Sequence, residues 1–420
     1  MEPLEHLAII WCGVFIASVL AAKTKLTSVL YFLAFGSLMV NIGLLPTDTT
    51  PFIRGFADIG IIVIMFALGF EENTRNFLRS IKRSWGIAFF GAVAPFFTAY
   101  LVADYYWGNS NISIMCGLAM TATAVSLTMV SLKSAGLQTS RAAMGIMTSA
   151  VLDDIAALVL VAILVPVASG QTIISGSAIA LTVSKALLFF AVIAVASTWL
   201  LPHDLRGWAA RIPFVGRYGV RDLLSLGEGE HATLAVLILA LVVGLLADRL
   251  GLHPAVGAYM AGLILREEYF HLQSEGRLSS YKRTKTIVDN VAFSWIGPVF
   301  FVVLGTKIVF EWETFVAVIP QTIMLTLGLF IAQVTSAGLA ARYMGRFEWH
   351  ESLMIGFGML GRAELAFVIM DIAYVQNDIL SLEAFYTLMF SAFWLNVAVP
   401  VTITLWKPYY DRAQATVRPD

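Results

Sequence analysis

Charged residues are scarce in this sequence: Asp, Glu, Lys and Arg make up 13% of its 420 residues, whereas 59% are hydrophobic. Soluble domains average about 25% charged residues, so this composition indicates a polytopic membrane protein. A net charge of −1 leaves no general excess of basic residues for binding phosphate backbones. We therefore expect no nucleic-acid partner.

Cysteine and histidine are also rare. The two cysteines, Cys12 and Cys116, lie in apolar segments, so neither a disulfide framework nor metal-ligand spacing is available. The six histidines lie mostly at the ends of apolar segments. Without a nucleophile or metal constellation, we expect neither an enzyme nor a bound cofactor. The start of the chain, MEPLEHLAII, has no basic region, which argues against a cleavable signal peptide.

Long apolar runs bounded by charged or turn residues predict an all-α protein with thirteen transmembrane helices. The predicted spans are residues 7–22, 26–45, 52–70, 85–104, 113–132, 143–168, 173–201, 232–249, 254–266, 290–306, 314–341, 351–375 and 383–406.

Basic residues give the orientation. With the N-terminus outside, the loops and the tail that face the cytoplasm hold 22 of the 27 Lys and Arg residues. The alternation persists through every loop, as the positive-inside rule requires. We therefore expect a multi-pass protein of the plasma (inner) membrane with the N-terminus outside and the C-terminus in the cytoplasm. Only residues 407–420 follow the last span, so no C-terminal regulatory domain is expected.

Two adjacent acids interrupt the sixth span. Asp153 and Asp154 lie in the run MGIMTSAVLDDIAALVLVAILVPV, residues 144–167. A carboxylate at membrane depth costs at least about 2.5 kcal/mol, and residues of this kind usually mark an ion or proton pathway. One alternative is a structural pair that bonds to neighbouring helices. An intramembrane aspartyl protease is less suitable, because its two acids lie on separate helices within a Gly-x-Gly-Asp signature that is absent here.

The two halves of the chain resemble each other. Residues 30–46 resemble 254–265, IMFALGFE resembles VFFVVLGTKI with Gly69 matching Gly305, and TATAVS matches GRAELA. An odd number of crossings separates the copies, which predicts inverted-topology repeats with a site near the midplane where discontinuous helices cross. The two predicted interruptions are marked by Thr121, Thr123 and Ser126 in span five and by Gly358, Gly361, Arg362 and Glu364 in span twelve.

These motifs resemble one known family. The segments GAYMAG (257–262), FALGFEEN (66–73), AVLDDIAAL (150–158), PVFFVVLG (298–305) and GRAELAFV (361–368) are similar to the monovalent cation:proton antiporter superfamily. The closer match is its second family, with the Kef-type and Nap-type exchangers. The resemblance implies the Na⁺/H⁺ antiporter fold and a homodimer. It also implies a dimerisation domain (1–70 and 232–306), an ion-transporting core (85–168 and 314–406), a linker helix (173–201), a cytoplasmic loop (202–231) and a tail (407–420).

The resemblance also implies roles for single residues. It makes Asp154 the carboxylate that binds the monovalent cation or the proton, with Asp153 beside it. Many relatives pair the first aspartate with a lysine on span eleven, where this sequence has Gln333. That departure leaves the stoichiometry open, and Gln333 is otherwise an ordinary hydrogen-bonding residue between helices.

The remaining polar residues allow two interpretations each. Thr121 and Thr123 either bond back to their own helix or act as neutral oxygen ligands beside the aspartates, and we favour the second. Arg362 and Glu364 either neutralise each other or take part in transport. Together with Gln333 and Ser126, they are the predicted supporting residues of the site. The sequence thus predicts an antiporter that exchanges Na⁺ or K⁺ for H⁺ by alternating access. The alternative is a cation channel or an uncoupled cation pathway on the same fold.

Overall fold

The computed structural model describes residues 3–24, 27–71, 74–169, 231–265, 267–270, 280–362 and 364–417, with isolated positions between 184 and 224. All regular structure in these ranges is helical. The predicted linker helix 173–201 and nearly all of the loop 202–231 lie outside the described residues, apart from those isolated positions.

The described helices follow the apolar runs of the sequence. The first part of the chain forms α1 (Pro3–Thr24), α2 (Ser28–Asn41), α3 (Pro51–Glu71), α4 (Thr74–Trp107), α5 (Ser110–Ala119), α6 (Val125–Ser134) and α7 (Arg141–Ala168). The second part forms α8 (Ala232–Arg249), α9 (Pro254–Ile264), α10 (Ser280–Asn290), α11 (Gly297–Gly305), α12 (Trp312–Ala317), α13 (Ile319–Tyr343), α14 (Trp349–Gly358), α15 (Glu364–Asp371) and α16 (Leu382–Val417). A 3₁₀ turn (Glu267–Phe270) and two π-helical turns (Val291–Trp295 and Ile372–Gln376) complete the set.

Eight of the described helical segments are long and apolar enough to cross a membrane, and α2, α5 and α9 are shorter apolar helices. The protein is therefore a multi-pass membrane protein, as its composition predicted. The count of thirteen spans stays a prediction, because part of the chain lies outside the described residues.

Two predicted span boundaries are wrong. The first residues of the span predicted at 314–341 lie in a separate short helix, α12 (Trp312–Ala317), and α13 itself begins at Ile319. Pro320 explains this start, because proline has no N–H to donate and suits the first turn of a helix. The span predicted at 290–306 belongs to a helical segment that starts at Ser280. Its polar first part, α10, does not have the hydrophobicity by which a span is recognised.

Contacts between Cα atoms divide the chain into two compact units. One comprises Met1–Trp11, Thr49–Asn76 and Ile174–Phe300, and the other comprises Cys12–Asp48, Phe77–Ile173 and Phe301–Asp420. Within the first, α3 packs against α9 and α9 against α8. Within the second, α5, α6, α7, α13, α14 and α16 pack against one another. This second unit contains both aspartates and both predicted helix interruptions.

Glycines allow two close helix contacts, one in each unit. In the first unit, Gly69 of α3 lies against the carbonyl of Tyr259, and Gly262 of α9 lies against the carbonyl of Phe66. In the second, Gly36 of α2 lies against the carbonyl of Val302 in α11. A Cβ atom at any of these glycines would overlap the facing backbone, so only glycine permits helix axes this close.

Candidate ion-binding site

The first interrupted helix is α5–α6. Asn109 caps α5 by accepting hydrogen bonds from the N–H groups of Asn111 and Ile112, and the helix ends at Ala119. Residues 120–124 carry the chain to α6, which begins at Val125. The interruption thus lies at the polar run predicted from Thr121 and Thr123. It leaves a helix C-terminus and a helix N-terminus facing each other, with opposite partial charges.

The second interrupted helix is α14–α15. A reciprocal capping interaction between Glu348 and Glu351 starts α14, which ends at Gly358. Helix α15 starts at Glu364, where a negative charge complements the positive end of the helix dipole. Gly361 and Arg362, the first two residues of the GRAELA motif, lie in the break between α14 and α15. Both predicted interruptions are therefore present in the structure.

The two breaks touch. The backbone N–H of Ala124 donates to the carbonyl of Gly361 at 2.9 Å, which joins one break directly to the other. One turn into α6, the hydroxyl of Thr128 donates to the carbonyl of Gly358, the last residue of α14. The structure therefore brings four helix ends to one point inside the second unit. Oriented peptide dipoles at such a point stabilise ions that have lost their water.

The crossing leaves no room for a side chain at Gly361. A Cβ atom there would lie 2.9 Å from the Cβ of Ala124 and 3.2 Å from the Oδ1 of Asn396. We predict that Gly361→Ala lowers the free energy of unfolding by about 1–3 kcal/mol, as overpacking of a close contact usually does. Thermal unfolding of the purified variant measures this effect, and ion exchange in liposomes should fall with it.

Two further variants make this prediction specific. Ala124→Gly in the Gly361→Ala background removes the facing methyl group and should restore part of the loss. Gly338→Ala is the matched control, because a Cβ atom there would meet its nearest neighbour at an ordinary 3.5 Å. Equal stability of Gly361→Ala and Gly338→Ala would show that the crossing is not tightly packed.

Arg362 is fully buried at this crossing. Its Nη1 donates to the carbonyls of Met359, Leu360 and Gly361 at 3.1–3.3 Å, and its Nη2 donates to Oε1 of Gln333 at 2.9 Å. Carbonyls that follow the last turn of a helix have no partner within it, and the negative end of the helix dipole attracts a cation. The guanidinium therefore closes the C-terminal end of α14.

Asn396 of α16 fixes the backbone of Arg362 from the other side. Its Oδ1 accepts from the N–H of Arg362 at 2.8 Å, and its Nδ2 donates to the carbonyl of Arg362 at 2.6 Å. A primary amide can satisfy an N–H and a C=O of one residue at once, as a neighbouring strand would. The interrupted backbone is thus held by a buried side chain 34 residues further along the chain.

Gln333 is an uncharged residue that links two buried groups by hydrogen bonds. It is fully buried in α13, its Oε1 accepts from Arg362, and its Nε2 donates to the carbonyl of Gly91 at 3.1 Å. In a regular helix that carbonyl would accept from residue 95, but Pro95 has no N–H. A glutamine therefore satisfies both the proline-freed carbonyl and the guanidinium, which a lysine cannot do because it has no acceptor.

Asp153 lies fully buried beside this arginine. The Arg362 guanidinium attracts its carboxylate electrostatically without forming an ion pair with it, and the hydroxyl and N–H of Thr123 face it. Neither carboxylate oxygen has a hydrogen-bond partner of good geometry within the described part of the chain. The cationic neighbour that relatives are expected to supply with a lysine is thus supplied here by Arg362.

Two hydroxyls accompany this carboxylate. Thr123 is 6% exposed and Ser149 is fully buried; the side-chain oxygen of Ser149 has no hydrogen-bond partner among the described residues, and the hydroxyl of Thr123 faces Asp153 without a well-formed hydrogen bond. Ser149 precedes Asp153 by four residues on α7, so both side chains point to the same face of the helix. Buried polar atoms normally have partners, so unpaired oxygens gathered here are the feature expected of a site that binds ions.

The other predicted site residues occupy varied positions. Asp154 is only partly buried, in contrast to Asp153. Thr121 is fully buried and its hydroxyl donates to the carbonyl of Gly117 at 2.9 Å, which still leaves its oxygen lone pairs available. Glu364 is buried at the start of α15. Ser126 lies in the first turn of α6, and its side chain is outside the described residues.

Sequence reasoning missed Ser149, Thr128 and Asn396. A single serine or threonine in an apolar helix usually bonds back to its own backbone, so Ser149 and Thr128 gave no distinct signal. The i, i+4 spacing of Ser149 and Asp153 was a usable clue, because that spacing places two residues on one face. Asn396 had no local signal, since its partner is set only by the packing of α16 on the second break.

Relatives of known activity match this chain over most of its length. The family model described as the transmembrane sodium/hydrogen exchanger matches residues 11–406. The Na⁺/H⁺ antiporter of Enterococcus hirae is 25% identical over 381 residues, which cover 90% of this chain and 91% of that protein. The Na⁺/H⁺-K⁺ antiporter GerN of Bacillus cereus is 26% identical and covers 80% of this chain and 79% of its own. The glutathione-regulated potassium-efflux protein KefC of Cronobacter sakazakii is 25% identical over 84% of this chain and 52% of its own length.

A solved structure gives the same fold. The sodium proton antiporter MjNhaP1 of Methanocaldococcus jannaschii superposes with a TM-score of 0.67 at 14% identity, over 97% of this chain and all of that chain. At this identity the match shows the fold alone, and it confirms the predicted antiporter fold. The family that the sequence motifs resemble is confirmed by the family model, which spans nearly the whole chain. The protein belongs to the sodium/hydrogen exchanger family.

Proposed function

We propose that the protein is a secondary active antiporter that exchanges Na⁺ or K⁺ for H⁺ across the membrane. Asp154 binds either the cation or the proton, and Asp153, Thr121 and Thr123 complete the site. One observation carries this proposal: a fully buried carboxylate with unpaired oxygens lies beside a second, partly exposed carboxylate where two interrupted helices cross. Relatives named as Na⁺/H⁺ and Na⁺/H⁺-K⁺ antiporters support the choice of ions.

The chemistry of the site suits a hard monovalent cation. Carboxylate, hydroxyl and backbone carbonyl oxygens are the ligands that such cations prefer over nitrogen and sulfur. In the described ranges no group of three or more His, Cys, Asp and Glu side chains is arranged to hold a metal ion. Two carboxylates with neutral oxygens therefore favour a singly charged ion as the transported substrate.

The charges explain how the two fluxes couple. Arginine stays protonated in proteins, so Arg362 offsets one carboxylate of the pair and leaves one negative charge. A proton or a monovalent cation neutralises that charge, whereas both together would leave an excess positive charge in a buried site at high cost. Occupation by one ion thus excludes the other, and transport of either requires release of its competitor.

The two aspartates have different roles in this proposal. Asp154 is partly exposed, which is required of a group that exchanges ions with water. Asp153 is fully buried beside Arg362, which suits a charge that positions the site rather than one that releases ions each cycle. Gln333, Glu364 and Ser126 support the site without binding the ion.

Alternating access is proposed to move an ion-transporting core relative to a dimerisation domain. The core (85–168 and 314–406) falls within one compact unit, and that unit also includes residues 12–48 and 301–306 of the proposed dimerisation domain. The dimerisation domain (1–70 and 232–306) forms a homodimer in the plasma (inner) membrane, and residues 173–201 link the two. The basic residues support an N-terminus outside and a C-terminus in the cytoplasm.

Inverted repeats are the proposed origin of this fold. The repeat pairs α2 with α9 and α3 with α11. In the structure, α9 contacts α3 through Gly69 and Gly262, and α2 contacts α11 through Gly36 and Gly305. Each contact joins the first helix of one repeat to the second helix of the other, which is the arrangement that two inverted copies produce.

Purified protein in liposomes tests the function. A pH dye inside the vesicles should report proton movement when Na⁺ or K⁺ is added, and we predict that the apparent cation affinity weakens as the pH falls. Protonation removes the ligand charge, so below the pKa of the site the affinity should drop about tenfold per pH unit for one competing proton. A cation affinity that is constant across the pH range of transport would contradict a shared site. Cation flux without counter-movement of protons would indicate an uncoupled pathway instead.

A further inference from the structure

Helix α16 packs on both interrupted helices of the second unit. It contacts α5 and α6, on the two sides of the first break, and it contacts α14, which ends at the second break. Asn396 of this helix is fully buried. Both hydrogen bonds of its side-chain amide go to backbone groups of Arg362, so it lies directly beside the second break. A buried amide is thus committed to backbone that no helix satisfies.

The peptide group between residues 361 and 362 connects the first break to α16. Its carbonyl, which belongs to Gly361, accepts from the N–H of Ala124 at 2.9 Å. Its N–H, which belongs to Arg362, donates to Oδ1 of Asn396 at 2.8 Å. The C=O and N–H of a trans peptide point in opposite directions within one plane. This single plane is therefore held from both sides, by the first break and by α16.

The second hydrogen bond of Asn396 fixes the next peptide plane as well. Its Nδ2 donates to the carbonyl of Arg362 at 2.6 Å. Because only two backbone dihedrals per residue are soft, holding the N–H and the C=O of one residue restricts both of them. Helical hydrogen bonds do not restrict them, since α14 ends at Gly358 and α15 begins at Glu364. The amide therefore replaces the helical bonds that are missing at this point.

Two groups that face Asp153 depend on this peptide plane. The guanidinium of Arg362 leaves the backbone at the residue that Asn396 holds. The hydroxyl of Thr123 belongs to the residue before Ala124, whose N–H bonds to the other side of the plane. Hydrogen bonds in such a series also polarise one another, so each strengthens the next. A change at Asn396 would therefore reach Asp153 from two directions.

We propose that Asn396 is a positioning residue for ion exchange, which holds Arg362 and Thr123 in the arrangement about Asp153 that binds the cation. This inference rests on the proposed function and extends it to a residue that acts through its neighbours. Preorganised groups lose much of their effect when they are displaced, and a shift of about 1 Å can cost about a hundredfold in rate. The donor and the acceptor of the amide are both required, because each holds a different backbone group.

Two variants of Asn396 separate hydrogen bonding from the filling of space. Asn396→Leu keeps a side chain of similar size without donor or acceptor. The loss of these bonds should raise the apparent KM for Na⁺ or K⁺ and lower exchange at a subsaturating cation concentration about tenfold or more, at every pH. Exchange is measured with a pH dye in liposomes and divided by the amount of folded protein, which thermal unfolding reports.

Asn396→Asp should recover exchange as the pH falls. A protonated carboxylic acid has one O–H donor and one acceptor, which is the pattern of the primary amide, whereas a carboxylate has acceptors only. Relative to wild type at the same pH, this variant should resemble Asn396→Leu at alkaline pH and approach wild type at acidic pH. The change should reverse in the same liposomes. At acidic pH both substituted side chains are neutral, so their difference there reports hydrogen bonding alone.

Asn41 provides the matched control. It lies exposed at the end of α2, donates to the carbonyl of Ile308 at 3.0 Å and accepts from the N–H of Phe310 at 2.7 Å. It thus makes the same kind of link between two backbone groups, away from both breaks. Asn41→Leu and Asn41→Asp should exchange like wild type at every pH.

The outcomes distinguish this inference from the proposed function. Wild-type exchange with the same pH profile for Asn396→Asp as for wild type or for Asn396→Leu would overturn the positioning role alone. Wild-type protein without coupled exchange would overturn the proposed function, and this inference with it. If Asn396→Leu does not fold, Asn396→Asp still decides, because a ratio to wild type that stays constant with pH contradicts the role of the amide.

Discussion

Asp154→Asn should abolish cation–proton exchange in liposomes while the protein still folds. Asparagine keeps the size of the side chain and its oxygen ligand but removes the charge that cation and proton share. Without that charge the site no longer binds either ion in competition with the other, so exchange should fall by about a hundredfold or more, which corresponds to about 3 kcal/mol of lost binding free energy. Initial rates of pH-dye recovery after addition of Na⁺ or K⁺ measure this fall, with thermal unfolding as the test of folding.

Asp411→Asn is the matched control for this prediction. Asp411 pairs with Lys407 at 3.0 Å on the exposed part of α16, where an ion pair contributes little. Its replacement should leave both exchange and stability close to wild type. A well-folded Asp154→Asn protein that still exchanges ions at a substantial rate would contradict the role given to Asp154.

The positions of the helix interruptions were predictable because their causes are local. The glycines at 358 and 361 and the polar side chains of Thr121–Ser126 permit non-helical backbone at membrane depth, which is tolerated where it is buried in protein. The chain breaks at both places in the structure, between α5 and α6 and between α14 and α15. An interruption needs only a short stretch of sequence, so sequence alone could place it.

The partners of the buried groups were not predictable in the same way. The sequence showed that Gln333 stands where relatives are expected to have lysine, but not that Arg362 would reach it from the second break. Likewise, Pro95 frees the carbonyl of Gly91 by a local rule, yet only the packing of α4 on α13 makes Gln333 its partner. Contacts between distant segments depend on how helices cross, which periodicity does not determine.

Asp153 and Asp154 look equivalent in the sequence but differ in their burial. Asp153 and Asp154 are adjacent and chemically identical, but successive residues on a helix point about 100° apart. One therefore faces the crossing and is fully buried, while the other is partly exposed. The family resemblance assigned the ion-binding role to Asp154, and its partial exposure supports that proposal on independent grounds.

Arg362→Met should strongly destabilise the protein, and removal of the Asp153 charge should partly reverse that effect. Without the guanidinium, the carbonyls of Met359 and Leu360 and the amide oxygen of Gln333 lose their donor, the carbonyl of Gly361 keeps only Ala124, and the carboxylate of Asp153 loses its cationic neighbour. Because the two side chains are not in direct ion-pair contact, the cost should lie near the lower end of the range for a broken buried charge pair, about 3 kcal/mol. Arg412→Met is the matched control, because that arginine is exposed on α16. It should cost about 1 kcal/mol or less.

The double-mutant cycle separates charge compensation from hydrogen bonding. If Arg362 compensates the charge of Asp153, the double variant Asp153→Asn/Arg362→Met should be more stable than the sum of the two single effects predicts, by about 1 kcal/mol or more. The lost carbonyl contacts remain lost in both arginine variants, so they cancel in this comparison. Thermal unfolding of the four proteins measures the coupling. Strict additivity would mean that Arg362 serves only to close the end of α14, and that the negative charge of Asp153 is stabilised by some other group.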